Sequence, residues 1–160
     1  MNMKDIEIAK GTLVDKEKLT ATFQHFKDEK TMKNRAECYL SHNNTFLAKH
    51  GNLIIGKMLW HIKGDPNFGV VEFEELYVFE DYRRKGTGSE LLRTSIKAVR
   101  DYFKQLGIEA RRIFLFVDEN NQSARKLYEK YGFEYITNLG HLFSESDNDL
   151  FYILDLAKTK

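Results

Sequence analysis

Residues 70–89 read VVEFEELYVFEDYRRKGTGS, and the fold follows from the order of the pieces inside them. Val70 to Val78 is dense in β-branched, aromatic and alternating residues, which predicts a strand. Three cations, Arg83, Arg84 and Lys85, then lead into Gly86-Thr87-Gly88-Ser89. Directly afterwards Leu91, Leu92, Ile96, Val99, Phe103 and Leu106 fall on one helical stripe, which Gly107 ends. A strand, a glycine turn and a helix in succession can bind a phosphate, because N–H groups at a helix start point at the anion and the helix dipole adds positive potential. Glycine lets the ligand reach the backbone, although two glycines in a turn are equally ordinary turn chemistry. Two familiar versions are excluded. No Gly-x-x-x-x-Gly-Lys-Ser/Thr is present, and the dinucleotide fingerprint needs a third glycine where Leu91 stands.

Working outward, DIEIA at 5–9 predicts a first strand. The segment from Asp15 spaces Leu19, Phe23 and Phe26 as a helix with Asp15 as a possible cap, and a second helix is expected around MKNRAECYLSH. TFLAKH and LIIGKMLWHI, parted by Gly51 and Asn52, predict a hairpin, and GDPNFG a turn before the strand at 70. Downstream, RIFLFV reads as a buried strand, NQSARKLYEKYG as a short helix, and FEYITNL and LFYILDL as two closing strands. The expectation is a single α/β domain over 1–160, with a parallel crossover around the helix that follows Gly88.

The 160 residues carry a net charge of +1, with 42% hydrophobic and 31% charged residues, as in an ordinary globular protein. That balance gives no global support for nucleic-acid binding. No apolar run is long enough to span a bilayer and no signal peptide is evident, so a cytoplasmic address is expected. A lone cysteine, Cys38, excludes an internal disulfide, and a buried apolar role is expected for it. The five histidines lack metal-ligand spacing, so no metal is expected. Of Trp60 and His61, neighbours on a strand, one is expected in the core and the other at the surface.

Arg83-Arg84-Lys85-Gly86-Thr87-Gly88 fits the pattern [Gln/Arg]-x-x-Gly-x-[Gly/Ala], and VEFEELYVFEDYRRKGTGSELL as a whole resembles the coenzyme A signature of the GNAT superfamily of N-acyltransferases. Asn121-x-x-Ala124-x-x-x-Tyr128-x-x-x-Gly132-Phe133 resembles the superfamily's downstream block at the usual distance. The strong part of the resemblance runs from about Val70 to Phe133. It implies a mixed, mostly antiparallel sheet of six or seven strands flanked by about four helices, binding acetyl-CoA and moving its acyl group to an amine. It also implies that Leu76, Tyr77 and Val78 meet the pantetheine arm and a backbone N–H there the thioester oxygen, and that Arg83 to Ser89 meet the pyrophosphate. Members often pair as dimers.

An alkyl ammonium has no lone pair at neutral pH, so a base is needed. Glu72 lies eleven residues before Arg83, as the base does in histone-type members; Glu74 lies nine before it, as in polyamine-type members, whose pattern the chain resembles slightly more. Simple alternation puts these two on one face and Glu75 on the other unless a bulge changes the parity. Tyr128 matches the family's tyrosine, placed to assist the departing thiolate, and is also suited to core packing. Asn121 is a helix cap or a pantetheine contact, with Ala124 beside it. The acidic run predicts cationic amines as acceptors unless an arginine offsets it. Two rival readings are a non-catalytic acyl-CoA sensor of the same fold and an unrelated phosphate-binding α/β domain.

Overall fold

The computed structural model describes residues 5–23, 28–42, 44–143 and 145–158. The described elements run β1 (Ile6–Lys10), α1 (Lys16–Thr20), α2 (Glu29–His42), β2 (Asn44–His50), β3 (Leu53–Ile62), β4 (Val70–Val78), α3 (Thr87–Gln105), β5 (Arg112–Asp118), α4 (Gln122–Lys130), β6 (Glu134–Asn138) and β7 (Asp149–Asp155). Seven strands join in the order β1-β2-β3-β4-β5-β7-β6. β4 and β5 are parallel, with Val70 opposite Arg112 and Phe73 opposite Leu115, whereas β1–β2, β2–β3, β5–β7 and β6–β7 are antiparallel. The mixed, mostly antiparallel α/β architecture expected from the sequence is therefore present.

The chain forms two compact units, and β4 and α3 run through both. The first holds residues 1–61 and 75–98. Its core gathers Leu19, Phe23, Ala36, Tyr39, Leu47, Ile54 and Leu59, with Met32 and Leu40 packed against them. β3 is buried almost throughout, so its near-continuous apolar sequence reflects cover on both faces. One lysine, Lys57, is buried within it.

The second unit holds residues 62–74 and 99–160. In β5 burial alternates, Ile113, Leu115 and Val117 facing the core, and β7 matches it with Leu150, Tyr152 and Leu154. Phe114, Phe116 and Phe151 lie on the half-covered face, Phe116 and Phe151 stacking at 5.3 Å.

Three local expectations change. α1 is only five residues long and continues as a 3-10 turn at Ala21–Phe23, while Phe26 lies outside the described residues. Asp15 does not cap α1 through its side chain; its carboxylate accepts from Thr12 N–H at 3.0 Å and pairs with Lys49 at 2.6 Å, tying the turn before the helix to β2. Cys38 is exposed rather than buried, since Ala36 and Tyr39 take the inward face of α2. Trp60 is buried as one of the two alternatives required, and His61 is half-buried.

The turn that launches β4 depends on Gly69, whose φ of 64° lies in the left-handed region and where an added Cβ would stand 2.1 Å from the Glu109 carbonyl oxygen. Gly69→Ala should lower stability by about 2 kcal/mol or more through combined strain and overlap. Urea denaturation against wild type measures this.

Candidate active site

The chain after β4 is tied to β3 and then turns. Phe79 N–H donates to the Ile55 carbonyl at 3.0 Å, a 3-10 turn follows at Glu80–Tyr82, and α3 begins at Thr87, so Gly88 and Ser89 lie in its first turn. Arg84 has φ 57° and Gly86 φ 85°. Left-handed steps at such spacing before a helix make a concave backbone rich in N–H groups, and a helix leaves its first N–H groups without intrahelical acceptors. For Arg84, a residue with a full side chain, this conformation is uncommon.

The three cations are not equivalent. Arg83 Nε donates to the Val78 carbonyl at 2.8 Å, with its guanidinium 5.8 Å from the centre of the Tyr77 ring. Lys85 Nζ donates to the Asp81 carbonyl at 2.6 Å. Both brace the turn. Thr87 is buried, its hydroxyl directed at the Tyr82 carbonyl at 3.4 Å, and so also acts within the scaffold.

Tyr77 and Val78 approach β3 closely where it has no side chain. A Cβ at Gly56 would stand 2.9 Å from the Tyr77 carbonyl oxygen and 3.3 Å from Val78 Cγ2. Just before this contact Glu75 has φ 53°, so the pleat is interrupted and the parity of the strand changes there.

Two of the strand acids, Glu72 and Glu75, have different surroundings. Glu72 is buried, and Lys63 Nζ lies 3.0 Å from its Oε2. Glu75 is held by Arg35 Nη2 at 2.9 Å on Oε1 and by Lys57 Nζ at 3.4 Å on Oε2. Burial alone would raise its pKa, but Lys57, Tyr39 and Arg35 together hold it below the usual carboxylate range. Beneath it the Lys57 ammonium lies 3.7 Å from the centre of the Phe23 ring, and Arg35 Nη2 donates to the Tyr39 hydroxyl at 2.8 Å. Burial pushes the Lys57 ammonium down to about 8 against the opposing pull of Glu75.

The sequence reading passed over Arg35, Tyr39 and Lys57. One signal was available: a single lysine inside the otherwise apolar run LIIGKMLWHI. A charge placed where both strand faces are covered is there with a partner or not at all.

In the second unit, Tyr128 on α4 is 7% exposed and packs at 5.7 Å from the Phe133 ring, which itself lies 6.3 Å from Phe73. Desolvation raises the pKa of its phenol, so the hydroxyl keeps its proton at neutral pH. Asn121 caps α4, its Oδ1 accepting from Ala124 N–H at 3.1 Å. The cap is thus real, and it occupies one of the two polar atoms of that amide.

The strand with its interrupted pleat, the left-handed turn and the capped α4 fall inside one matched sequence region, residues 14–133, which fits the Acetyltransferase (GNAT) family. The chain belongs to that family. A curated N-alpha-acetyltransferase of Sulfurisphaera tokodaii is 34% identical over 71 residues, 44% of this chain and 40% of that protein. A spermine/spermidine N(1)-acetyltransferase of Bacillus subtilis is 31% identical over 71 residues, 44% of this chain and 43% of that protein. The aligned stretch thus spans about two fifths of each curated relative. A GNAT acetyltransferase from Elizabethkingia anophelis, solved with acetyl-CoA bound, superposes with a TM-score of 0.71 at 19% identity, covering 94% of this chain and 98% of that one. At that identity the likeness speaks for the GNAT fold.

The buried ammonium yields a pH prediction. The folded value of Lys57 lies below its ordinary 10.5, so between about pH 8 and 10.5 the unfolded chain binds a proton that the folded chain does not. Stability relative to a Lys57→Met variant should therefore rise with pH across that window, by about 3 kcal/mol at most. Paired urea titrations at pH 7.5 and pH 10 read the difference.

Proposed function

We propose that this GNAT chain transfers an acetyl group from acetyl-CoA to a primary amine by direct attack in a ternary complex. The observation that carries the proposal is the left-handed turn at Arg84 and Gly86 set before the first turn of α3, directly after the strand whose pleat breaks at Glu75. The matched region crosses both compact units, which supports reading them as one catalytic domain. No helix among the described residues is long and apolar enough to cross a membrane, which is compatible with a cytoplasmic enzyme.

In this reading the backbone from Arg84 to Ser89 holds the pyrophosphate. Arg84 supplies direct charge, while Arg83 and Lys85 act mainly by shaping the turn, because both already serve carbonyl oxygens within it. Backbone groups of Leu76, Tyr77 and Val78 receive the pantetheine amides and the thioester oxygen, in the manner of strand addition and of an oxyanion hole. Asn121 and Ala124 contribute at the start of α4.

Glu74 is assigned as the base that takes a proton from the acceptor ammonium. Glu72 is the weaker candidate because it is buried against Lys63, and Glu75 is unsuited because its two cations lower its affinity for a proton. The freed nitrogen lone pair attacks the thioester carbon, the carbon–sulfur bond breaks, and the surplus proton on the new amide nitrogen passes to the departing thiolate through the Tyr128 hydroxyl, which burial keeps protonated.

Acetyl-CoA should raise the melting temperature in a dose-dependent way, with ATP and NAD doing much less, because a ligand of the folded state stabilises by mass action. Gly88→Leu should abolish that shift while leaving the fold, as seen by circular dichroism. Retention of full acetyl-CoA binding by this variant would remove the phosphate-site reading.

Tyr128→Phe should lower kcat by about ten- to a thousandfold with little change in acetyl-CoA affinity. Thiol release under single-turnover conditions tests this, and it also separates an enzyme from an acyl-CoA sensor, which would bind without releasing thiol.

A further inference from the structure

Glu75 holds a backbone conformation that a residue with a side chain rarely adopts, and its carboxylate is engaged from two levels. Below, Lys57 is only 4% exposed and sits between the Phe23 ring and Oε2, with Tyr39 also buried. Above, Arg35 reaches Oε1 at 2.9 Å, and the side chains of Arg35 and Glu75 keep 39% and 34% exposure. A half-open ion pair contributes little stability in itself. Yet this one is set over a buried ammonium and a left-handed backbone step, both of which are unfavourable. Local strain and buried charge of this kind gather where a side chain must be presented in one orientation.

The presented groups are an anion and a cation side by side. Glu75 immediately precedes Leu76 to Val78, so it lies at the acyl end of the segment assigned to the donor. This rests on the acetyl-transfer reading above.

We propose that Arg35 and Glu75 are the recognition pair for a zwitterionic acceptor, a free α-amino acid whose carboxylate is taken by the Arg35 guanidinium while its ammonium faces Glu75. Lys57 and Tyr39 are positioning residues that fix the Glu75 carboxylate from beneath. The guanidinium fork suits a carboxylate, and one substrate supplies both charges that the protein pair now supplies to itself. The acidic strand alone favours a purely cationic amine; Arg35 and Lys57 reverse that bias at Glu75.

The test measures acetyl transfer from acetyl-CoA to a panel of L-amino acids, each against its own α-amide, with spermidine and an amidated tripeptide alongside. The amide has the more readily deprotonated amine, so intrinsic reactivity runs against the expected result. For the best acceptor, kcat/KM should exceed that of its amide by about tenfold or more, with the difference in KM. Arg35→Met should bring this ratio to about two or less, and Arg35→Lys should restore part of it. Transfer in which the amide equals the acid, in which spermidine or the tripeptide surpasses every amino acid, or in which the preference survives Arg35→Met overturns the recognition pair alone. No transfer to any amine overturns the acetyl-transfer reading and this inference with it.

Discussion

A lysine ammonium buried beneath a strand carboxylate is the constraint around which the first compact unit is arranged. Lys57 cannot be hydrated where it stands, so its charge is met by Glu75, by the face of Phe23 and by the neighbouring Tyr39 ring. To reach it, Glu75 leaves the regular pleat and takes a left-handed backbone step. The same step changes which side chains of β4 face inward, and the strand beyond it can then lie close over Gly56. One buried charge, one strained residue and one glycine are thus parts of a single solution. Arg35 and Tyr39 extend it onto α2.

The turn after β4 follows a similar logic with the signs reversed. Its cations would repel one another if they had no acceptors, but Arg83 and Lys85 are each tied to a backbone carbonyl within the turn. Such bonds rigidify the loop before any ligand arrives, and preorganisation of this sort lowers the ordering cost of binding. The left-handed Arg84 and Gly86 then present the backbone in the form that suits an anion.

The second unit supplies rigidity of a more ordinary kind. Buried alternate residues on β5 and β7 make one apolar face, and Tyr128 is fixed against Phe133, which is packed near Phe73. Burial both holds this phenol in place and keeps it protonated, so packing and chemistry are the same property of the residue.

Much of this was legible in the sequence because it depends on local pattern. The strands from Leu53 and from Val70 appear where β-branched and aromatic residues are concentrated, the helix after the glycine turn follows its 3.6-residue stripe as far as Phe103, with Leu106 exposed past its end, and Asn121 caps α4 as its residue type suggests. The glycine turn and the spaced Asn121, Ala124 and Tyr128 likewise sufficed for the family. The short α1, the exposure of Cys38 and the Asp15–Lys49 pair were not legible, since each depends on which residues a distant strand or helix face brings near. The same holds for the acids of β4. Alternation could divide Glu72, Glu74 and Glu75 only by parity, whereas tertiary structure gave Lys63 to Glu72 and gave Arg35 and Lys57 to Glu75. Local sequence determines periodicity and turn geometry because these act over a few residues; the state of a charge is decided by its dielectric surroundings and its partners, and those exist only once the chain has folded.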